Sequence, residues 1–309
     1  MNFLITGGAG FIGSHIADRL ISQKHQVSII DDFSSGRKEN ILHLTGAVNL
    51  YEGDIRDTRL VNEAVRDVDY IFHQAALSSV PKSIDDPVLT NDINVNGTLN
   101  ILEAARKFKV KKVIFASSAA VYGDDPELPK NEKMNPMPLS PYAATKLMGE
   151  KYCSIYSNLY GLGTVVLRYF NVFGPRQNPN SDYAAVIPKF ITMILEDEIP
   201  TIYGDGFQSR DFIFIDDVVD SNIKAAVSDS LSGVVMNCAG GNQITINDLA
   251  HLINKILDKN LKPTYKDARP GDIKHSYADN STLKEKLTIN SLISIEEGLK
   301  KTIESFRHK

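Results

Sequence analysis

Thr6-Gly7-Gly8-Ala9-Gly10-Phe11-Ile12-Gly13, read after the apolar run that begins at Asn2, decides the fold of this chain. The stretch contains G-x-G-x-x-G as Gly8, Gly10 and Gly13, and G-x-x-G-x-x-G as Gly7, Gly10 and Gly13. It leads into a helical pattern carried by Ile16 and Leu20. Glycines here allow a tight turn and let backbone N–H groups approach a pyrophosphate, whose charge suits a helix N-terminus. Glycine-rich turns are common, so the match needs its second half. Val27-Ser28-Ile29-Ile30 reads as the next strand, and Asp31 at its end stands 18 residues after Gly13. A carboxylate there accepts the ribose hydroxyls of NAD and repels the 2′-phosphate of NADP. Arg37 and Lys38 follow closely and leave NADP open.

Outward from this turn, short apolar runs alternate with helical patterns, the sign of a parallel sheet wrapped by helices. Strands are expected at 2–6, 26–30, 48–51, 70–73, 113–116 and 164–169, each ending in Gly, Asp, Ala, Ser or Asn. Those ends line the crevice where doubly wound sheets bind ligands, and they include Asp54-Ile55 and Ala75-Ala76. Val95, Leu99, Leu102 and Ala105 keep three-to-four spacing and predict one helix face. Another helix should begin at Pro141 with Ser140 as N-cap, and Thr245/Asp248 and Ser294/Glu297 read as capping boxes. The expected architecture is α/β. A doubly wound Rossmann-type sheet at 1–169 is joined to a smaller mixed α/β lobe at 170–309, some of whose segments return to the sheet.

With 309 residues, 42% hydrophobic and 23% charged, the chain has the balance of a soluble globular protein. Its net charge of -4 and lack of basic runs speak against nucleic acid as a partner. No apolar stretch is long enough for a bilayer, so no membrane partner is expected. Cys153 and Cys238 make no paired metal motif and suit a reducing cytoplasm. The seven histidines are scattered, so no metal site is expected, and His73 and His275 read as structural.

Tyr142-Ala143-Ala144-Thr145-Lys146 puts a tyrosine and a lysine on one helix face, a turn apart. Such pairs also arise by chance on solvated helices. Free tyrosine has a pKa near ~10, and a neighbouring ammonium together with a positive nicotinamide would lower it. Tyr142 can then take a hydroxyl proton, while Ser118 at the fifth strand's end shares the hydrogen bond. Strand, serine, capped helix and glycine turn occur in the order such a site requires.

Together these residues resemble the extended short-chain dehydrogenase/reductase family, most closely its nucleotide-sugar 4-epimerases related to UDP-glucose 4-epimerase. The resemblance spans essentially the whole chain. It includes Gly53-Asp54-Ile55, His73-Gln74-Ala75-Ala76, Ser117-Ser118-Ala119-Ala120-Val121-Tyr122-Gly123 and Arg168-Tyr169-Phe170-Asn171-Val172-Phe173-Gly174-Pro175. It continues through Ser209-Arg210-Asp211-Phe212 and Arg269-Pro270-Gly271-Asp272. It implies Ser118, Tyr142 and Lys146 as catalytic residues. For NAD it implies Gly7, Gly10, Phe11, Ile12, Gly13, Asp31, Asp54, Ile55, Ala75, Ala76, Tyr142, Lys146 and Tyr169. For a UDP-sugar it implies Ser118, Tyr142, Asn171, Val186, Lys189, Tyr203, Arg210, Arg269, Asp272 and Ser276. The family mechanism removes the proton of the C4 hydroxyl and the C4 hydride, turns the 4-keto sugar about its diphosphate, and returns hydride to the other face. A homodimer through helices near 95–108 and 142–156 is also implied.

Sibling dehydratases carry an Asp-Glu pair just after the catalytic hydroxyl residue, and decarboxylases a nearby Glu, because both must move a proton at C5. This chain has Ala119 and Ala120 there, which favours epimerisation. Ser276 aligns with the residue that limits space beside the sugar C2 substituent, so UDP-glucose/galactose and their N-acetyl counterparts are both expected to fit. The segment 180–189 resembles the branch that handles N-acetylhexosamines, while Lys189 keeps UDP-glucuronate open. A dehydratase or decarboxylase with a carboxylate from elsewhere, and an NAD(P)-sensing binding module, are the competing readings.

Overall fold

Both faces of the central sheet are covered, which is why its strands are continuous apolar runs rather than alternating ones. In the computed structural model, which describes residues 1–179, 185–268 and 274–307, the first strands are β1 (Asn2–Thr6), β2 (Gln26–Asp31), β3 (Val48–Glu52), β4 (Tyr70–His73), β5 (Lys112–Ser118) and β6 (Gly163–Tyr169). All six expected strands are present, three of them one residue longer and β5 three residues longer than the apolar pattern indicated. Between them lie helices α1 (Phe11–Ser22), α2 (Thr58–Ala64), α3 (Val80–Asp85), α4 (Pro87–Asn91), α5 (Gly97–Lys107) and α6 (Pro141–Tyr160). A later strand, Val234–Cys238, pairs parallel with β6 and completes a seven-stranded sheet. From one edge the order runs β3, β2, β1, β4, β5, β6 and then Val234–Cys238. The order reverses between β1 and β4, so this doubly wound sheet has its ligand crevice where those two strands end.

Strand periodicity sorts the buried side chains into two layers. Ile5, Ile29, Phe72 and Ile114 face one core, which also takes Ile16 and Leu20 of α1 and Val218 of the helix Ile215–Val227. Leu4, Ile30, Ile71 and Val113 face the other, against Ile101 and Leu102 of α5 and Cys153 of α6. Truncating one of these isoleucines to alanine should cost about 2–5 kcal/mol.

The helix after β4 departs from the simple periodic reading. Residues Asp92–Asn96 form a π-helical turn, and α5 follows without a break. On α5, Thr98, Ile101, Leu102 and Ala105 are buried, and Leu99 is half-buried against the same core. Such bulges recur at functional sites, and this one carries Asn94 toward α6.

Helix α6 begins as its sequence indicates and runs on to Tyr160. The Ser140 hydroxyl accepts the Ala143 N–H at 3.2 Å, and Pro141 occupies the first turn. Gly161 closes the helix at φ +68°, a left-handed position that glycine fills without strain. Thr245 and Ser294 likewise cap their helices, accepting the N–H groups of Asp248 and Glu297.

Beyond β6 the chain forms three small two-stranded units. Asn171–Phe173 pairs with Phe212–Phe214, Ser209–Arg210 with Ile244–Thr245, and Thr201–Tyr203 with Thr264–Lys266. Among the described residues no helix is long and apolar enough to cross a membrane, and no group of three His, Cys, Asp or Glu side chains is placed to hold a metal.

Candidate active site

The β1–α1 turn is shaped by what a Cβ would strike. At Gly7, where φ is +69°, it would lie 2.8 Å from the Ala75 nitrogen, so the β1 and β4 loops touch through bare backbone. At Gly13 it would lie 2.3 Å from the Gly7 carbonyl oxygen and 2.8 Å from the Gly8 Cα, contacts with backbone that cannot swing aside. At Gly10 the sole close neighbour would be the Gly7 oxygen at 3.1 Å. Gly10 is the N-cap of α1 and offers no side chain to its first turn. The opening N–H groups at Phe11, Ile12 and Gly13, which lack intrahelical partners by construction, are therefore left for an anion.

Asp31 ends β2 beside this turn. Its Oδ2 accepts the Ala9 N–H at 2.8 Å and its Oδ1 the Phe33 N–H at 2.9 Å. A Cβ at Gly36 would sit 2.5 Å from Oδ1, so the following loop lies close over the carboxylate. Burial pushes the Asp31 carboxyl above its ordinary value, and the two backbone N–H groups oppose that. The cations that left NADP open are engaged elsewhere: Arg37 pairs with Glu39 at 3.5 Å and Lys38 with Glu52 at 3.0 Å. A turn shaped for pyrophosphate and a ribose-side carboxylate fit NAD. Asp54, expected near the adenine, has its Oδ2 held by Arg56 at 2.6 Å, which holds its carboxyl below the usual range. Ile55 is buried against Gly97.

The other crevice wall comes from β4, β5, β6 and α6. Ala75 and Ala76 are half-buried at the end of β4, and the Ala75 N–H donates to the Thr6 hydroxyl at 3.2 Å. His73 lies beneath them with Nδ1 on Thr6 Oγ1 at 2.7 Å and Nε2 on Thr98 Oγ1 at 2.9 Å. Two hydroxyl partners and full burial make it the structural histidine expected, held down to about 3 by desolvation. The Tyr169 hydroxyl at the end of β6 joins Gln74 and Asn222, donating to Asn222 Oδ1 at 2.9 Å.

Ser118 stands at the end of β5, and Tyr142 and Lys146 lie on the first two turns of α6. Ser118 accepts the Ala120 N–H at 3.1 Å. Lys146 is buried, donates to the Ala116 carbonyl at 2.8 Å, and has Nζ 5.9 Å from the Tyr142 ring centroid. One expectation changes here. Within the chain, burial pushes the Tyr142 phenol up from its ordinary value, with Ser118 pulling the other way. Lys146 is itself brought down to about 8 by desolvation, its ammonium turned to the strand carbonyl. Any lowering of the phenol must then come chiefly from a positive ligand beside it.

On the lobe side, Asn171 Nδ2 donates to the Asp211 carbonyl at 2.8 Å. Arg210 Nη1 donates to the Ser209 carbonyl at 2.9 Å, and the Ser276 N–H reaches that same carbonyl at 3.1 Å. Arg210 and Ser276 thus come from adjoining segments. Tyr203 is half-buried at the end of its strand, and Val186 packs on the core at the start of the helix Val186–Leu195. Lys189, in the same helix, is exposed. Arg269, Asp272 and the stretch 180–184 lie outside the described residues.

Several residues that organise the site were not singled out from sequence. Asn94 accepts the Leu77 N–H at 2.8 Å and donates to Thr145 Oγ1 at 3.0 Å, tying the β4 loop to the turn between Tyr142 and Lys146. Glu150, a further turn along α6, is fully buried. It accepts Arg168 Nε at 2.9 Å and Nη2 at 2.7 Å, and the Ser117 hydroxyl at 2.5 Å. The available signal was a polar residue inside an apolar stripe, which sequence alone reads as surface.

Comparison with known proteins follows the same lines. The model of a family described as NAD dependent epimerase/dehydratase matches residues 3–239. UDP-glucose 4-epimerase from Mycolicibacterium smegmatis is 40% identical, covering 100% of this chain and 99% of that protein. Among solved structures, UDP-N-acetylglucosamine 4-epimerase from Methanobrevibacter ruminantium in complex with UDP-N-acetylmuramic acid matches with a TM-score of 0.95 and 46% identity, over 99% of this chain and 98% of that one. Thermus thermophilus UDP-glucose 4-epimerase in complex with NAD matches with a TM-score of 0.90 and 36% identity, over 99% of each chain.

Proposed function

The chain belongs to the NAD-dependent epimerase/dehydratase family, and from that premise we propose that it is a UDP-sugar 4-epimerase that holds NAD tightly. The observation that carries this reading is the placement of Tyr142 and Lys146 on α6 against the end of β5, where Ser118 stands with Ala119 and Ala120 after it. A hydroxyl-proton acceptor is present. The two positions that hold the extra acid or base in dehydratases carry only methyl groups.

Gly7, Gly10, Phe11, Ile12 and Gly13 would receive the pyrophosphate of NAD, with Asp31 on a ribose and Ala75, Ala76 and Tyr169 along its length. NAD supplies a reversible hydride acceptor for the sugar C4. Tyr142 Oη takes the C4 hydroxyl proton and returns it, and Ser118 Oγ holds that oxygen while its charge develops. Bound NAD would put its positive nicotinamide beside the phenol and favour the phenolate, while Lys146 ties the Tyr142 turn of α6 to the Ala116 carbonyl of β5. Asn171, Arg210, Arg269 and Asp272 hold the diphosphate and sugar, guanidinium groups matching paired phosphate charges. Half-buried Ser276 leaves the C2 side open to an N-acetyl group.

The outer face of α6 exposes Met148, Ile155 and Leu159, and the neighbouring α3 and α4 expose Val80, Ile84 and Val88. An apolar face of that extent marks an interaction surface and supports a homodimer. Both cysteines are free and buried, which suits a reducing cytoplasm.

The test is proton NMR of purified protein, without added cofactor, given UDP-glucose, UDP-N-acetylglucosamine and UDP-glucuronate separately. A C4 epimer from the first two supports the reading, and Ser276→Tyr should then slow the N-acetyl sugar selectively. A 4-keto-6-deoxy sugar or a pentose would move the chain to a sibling activity.

A further inference from the structure

We infer that Asp211 is the positioning residue of the substrate site, a single buried carboxylate that fixes the segments bearing Asn171, Arg210 and Ser276. The inference rests on the reading of those three residues as substrate-holding. Asp211 is 0% exposed. Its Oδ1 accepts the Gly240 N–H at 2.7 Å, and its Oδ2 accepts the Gly241 N–H at 3.0 Å and the Ala278 N–H at 3.1 Å. Its backbone carbonyl accepts both the Asn171 N–H at 3.2 Å and the Asn171 side-chain amide at 2.8 Å.

Three segments distant in sequence, at Asn171, Gly240–Gly241 and Ala278, therefore meet on one residue. Ala278 stands two residues past Ser276, which is itself bonded to the Ser209 carbonyl at 3.1 Å. Arg210 is the residue before the carboxylate, so its Cα is fixed by the same contacts. The seat admits nothing larger: a Cβ at Gly240 would lie 2.4 Å from the Phe212 oxygen and 3.0 Å from Asp211 Oδ1. A buried carboxylate facing three N–H donors is costly to form and directional once formed. An apolar side chain would fill the space without fixing where Ser276 or Asn171 stands.

Asp211→Asn keeps the shape but turns an amide NH₂ toward an N–H donor. The expected result is a KM for the UDP-sugar, and a calorimetric Kd for UDP, raised roughly ten- to hundredfold. The kcat should stay within about threefold and bound NAD should be unchanged, the pattern of lost uniform binding. Unchanged KM and UDP affinity, or a loss confined to kcat, would overturn the inference. Hydrogen exchange on the wild-type protein is a second measurement that needs no variant. The amides of Gly240, Gly241 and Ala278 should exchange as one group and be slowed together by UDP, whereas independent exchange counts against it. A wild type that neither binds UDP nor turns over any UDP-sugar would instead sink the functional reading beneath.

Discussion

Replacing Glu150 with alanine should destabilise the protein far more than an acidic helix residue normally would. Glu150 and Arg168 have side chains only 4% exposed, joined by two parallel hydrogen bonds. Removing the carboxylate strips Arg168 of both bonds and Ser117 of a third, and Arg168 Nη1 already lacks a hydrogen-bond partner among the described residues. The guanidinium keeps the Tyr122 ring, 4.8 Å from its centroid, but a cation over an aromatic ring offsets little of a buried charge. Breaking one side of such a pair costs about 3–5 kcal/mol. For 309 residues the unfolding entropy is about 650 cal/mol/K, so the melting temperature should fall by roughly 5–8 °C. Calorimetry with NAD saturating throughout would measure it, since ligand occupancy shifts apparent stability. The double variant Glu150→Ala with Arg168→Met removes both charges and should recover part of the loss. A single-variant shift below about 1.5 °C, or a double variant worse than the sum of the singles, would refute the reasoning.

Tyr142→Phe should lower epimerase turnover roughly 10²–10⁴-fold, the usual contribution of a positioned acid–base group, with bound NAD retained on absorbance. Because burial raises the Tyr142 phenol, turnover should rise with pH on its acid limb, which a pH–rate profile checks. Gly13→Ala drives a methyl to 2.3 Å from the Gly7 oxygen; about 1–3 kcal/mol of stability should be lost in chemical denaturation, together with NAD content. His73 stays neutral in the folded chain to about pH 3, whereas an unfolded histidine protonates below ~6.5. Its contribution is therefore fully present above ~6.5 and is lost as pH falls toward 3, by about 1.4 kcal/mol per unit, and His73→Gln should remove that slope from denaturation curves taken between about pH 6.5 and 5.

What was legible in sequence was what local chemistry dictates. Strands β1 and β4 were readable to the residue because both faces are apolar and each is bounded by turn signals. The Ser140–Pro141 start of α6 and the glycine turn were equally local. The strand Val234–Cys238 was not identified, although later segments were expected to return to the sheet. Its apolar run is three residues long and ends in Asn237, whose side chain is spent on the Tyr122 hydroxyl and the Lys130 carbonyl. The helix face after β4 is legible in its three-to-four spacing, with Val95, Leu102 and Ala105 buried and Leu99 half-buried against the same core, whereas the π turn at Asp92–Asn96 leaves no mark in the sequence. Asp211 and Glu150 were visible only as letters in a motif or a helix, since their partners lie at 29, 30 and 67 residues for one and 18 and 33 for the other. Sequence spacing carries no record of such meetings.

The central claim is that C4 is oxidised and reduced on the enzyme without exchange with water. UDP-N-acetylglucosamine deuterated at C4, incubated with purified protein and no added NAD, tests it in one spectrum. The account predicts the C4 epimer with its deuterium retained at C4. An epimer whose C4 has taken a proton from solvent, or a product lacking C6 or its hydroxyl, would contradict it.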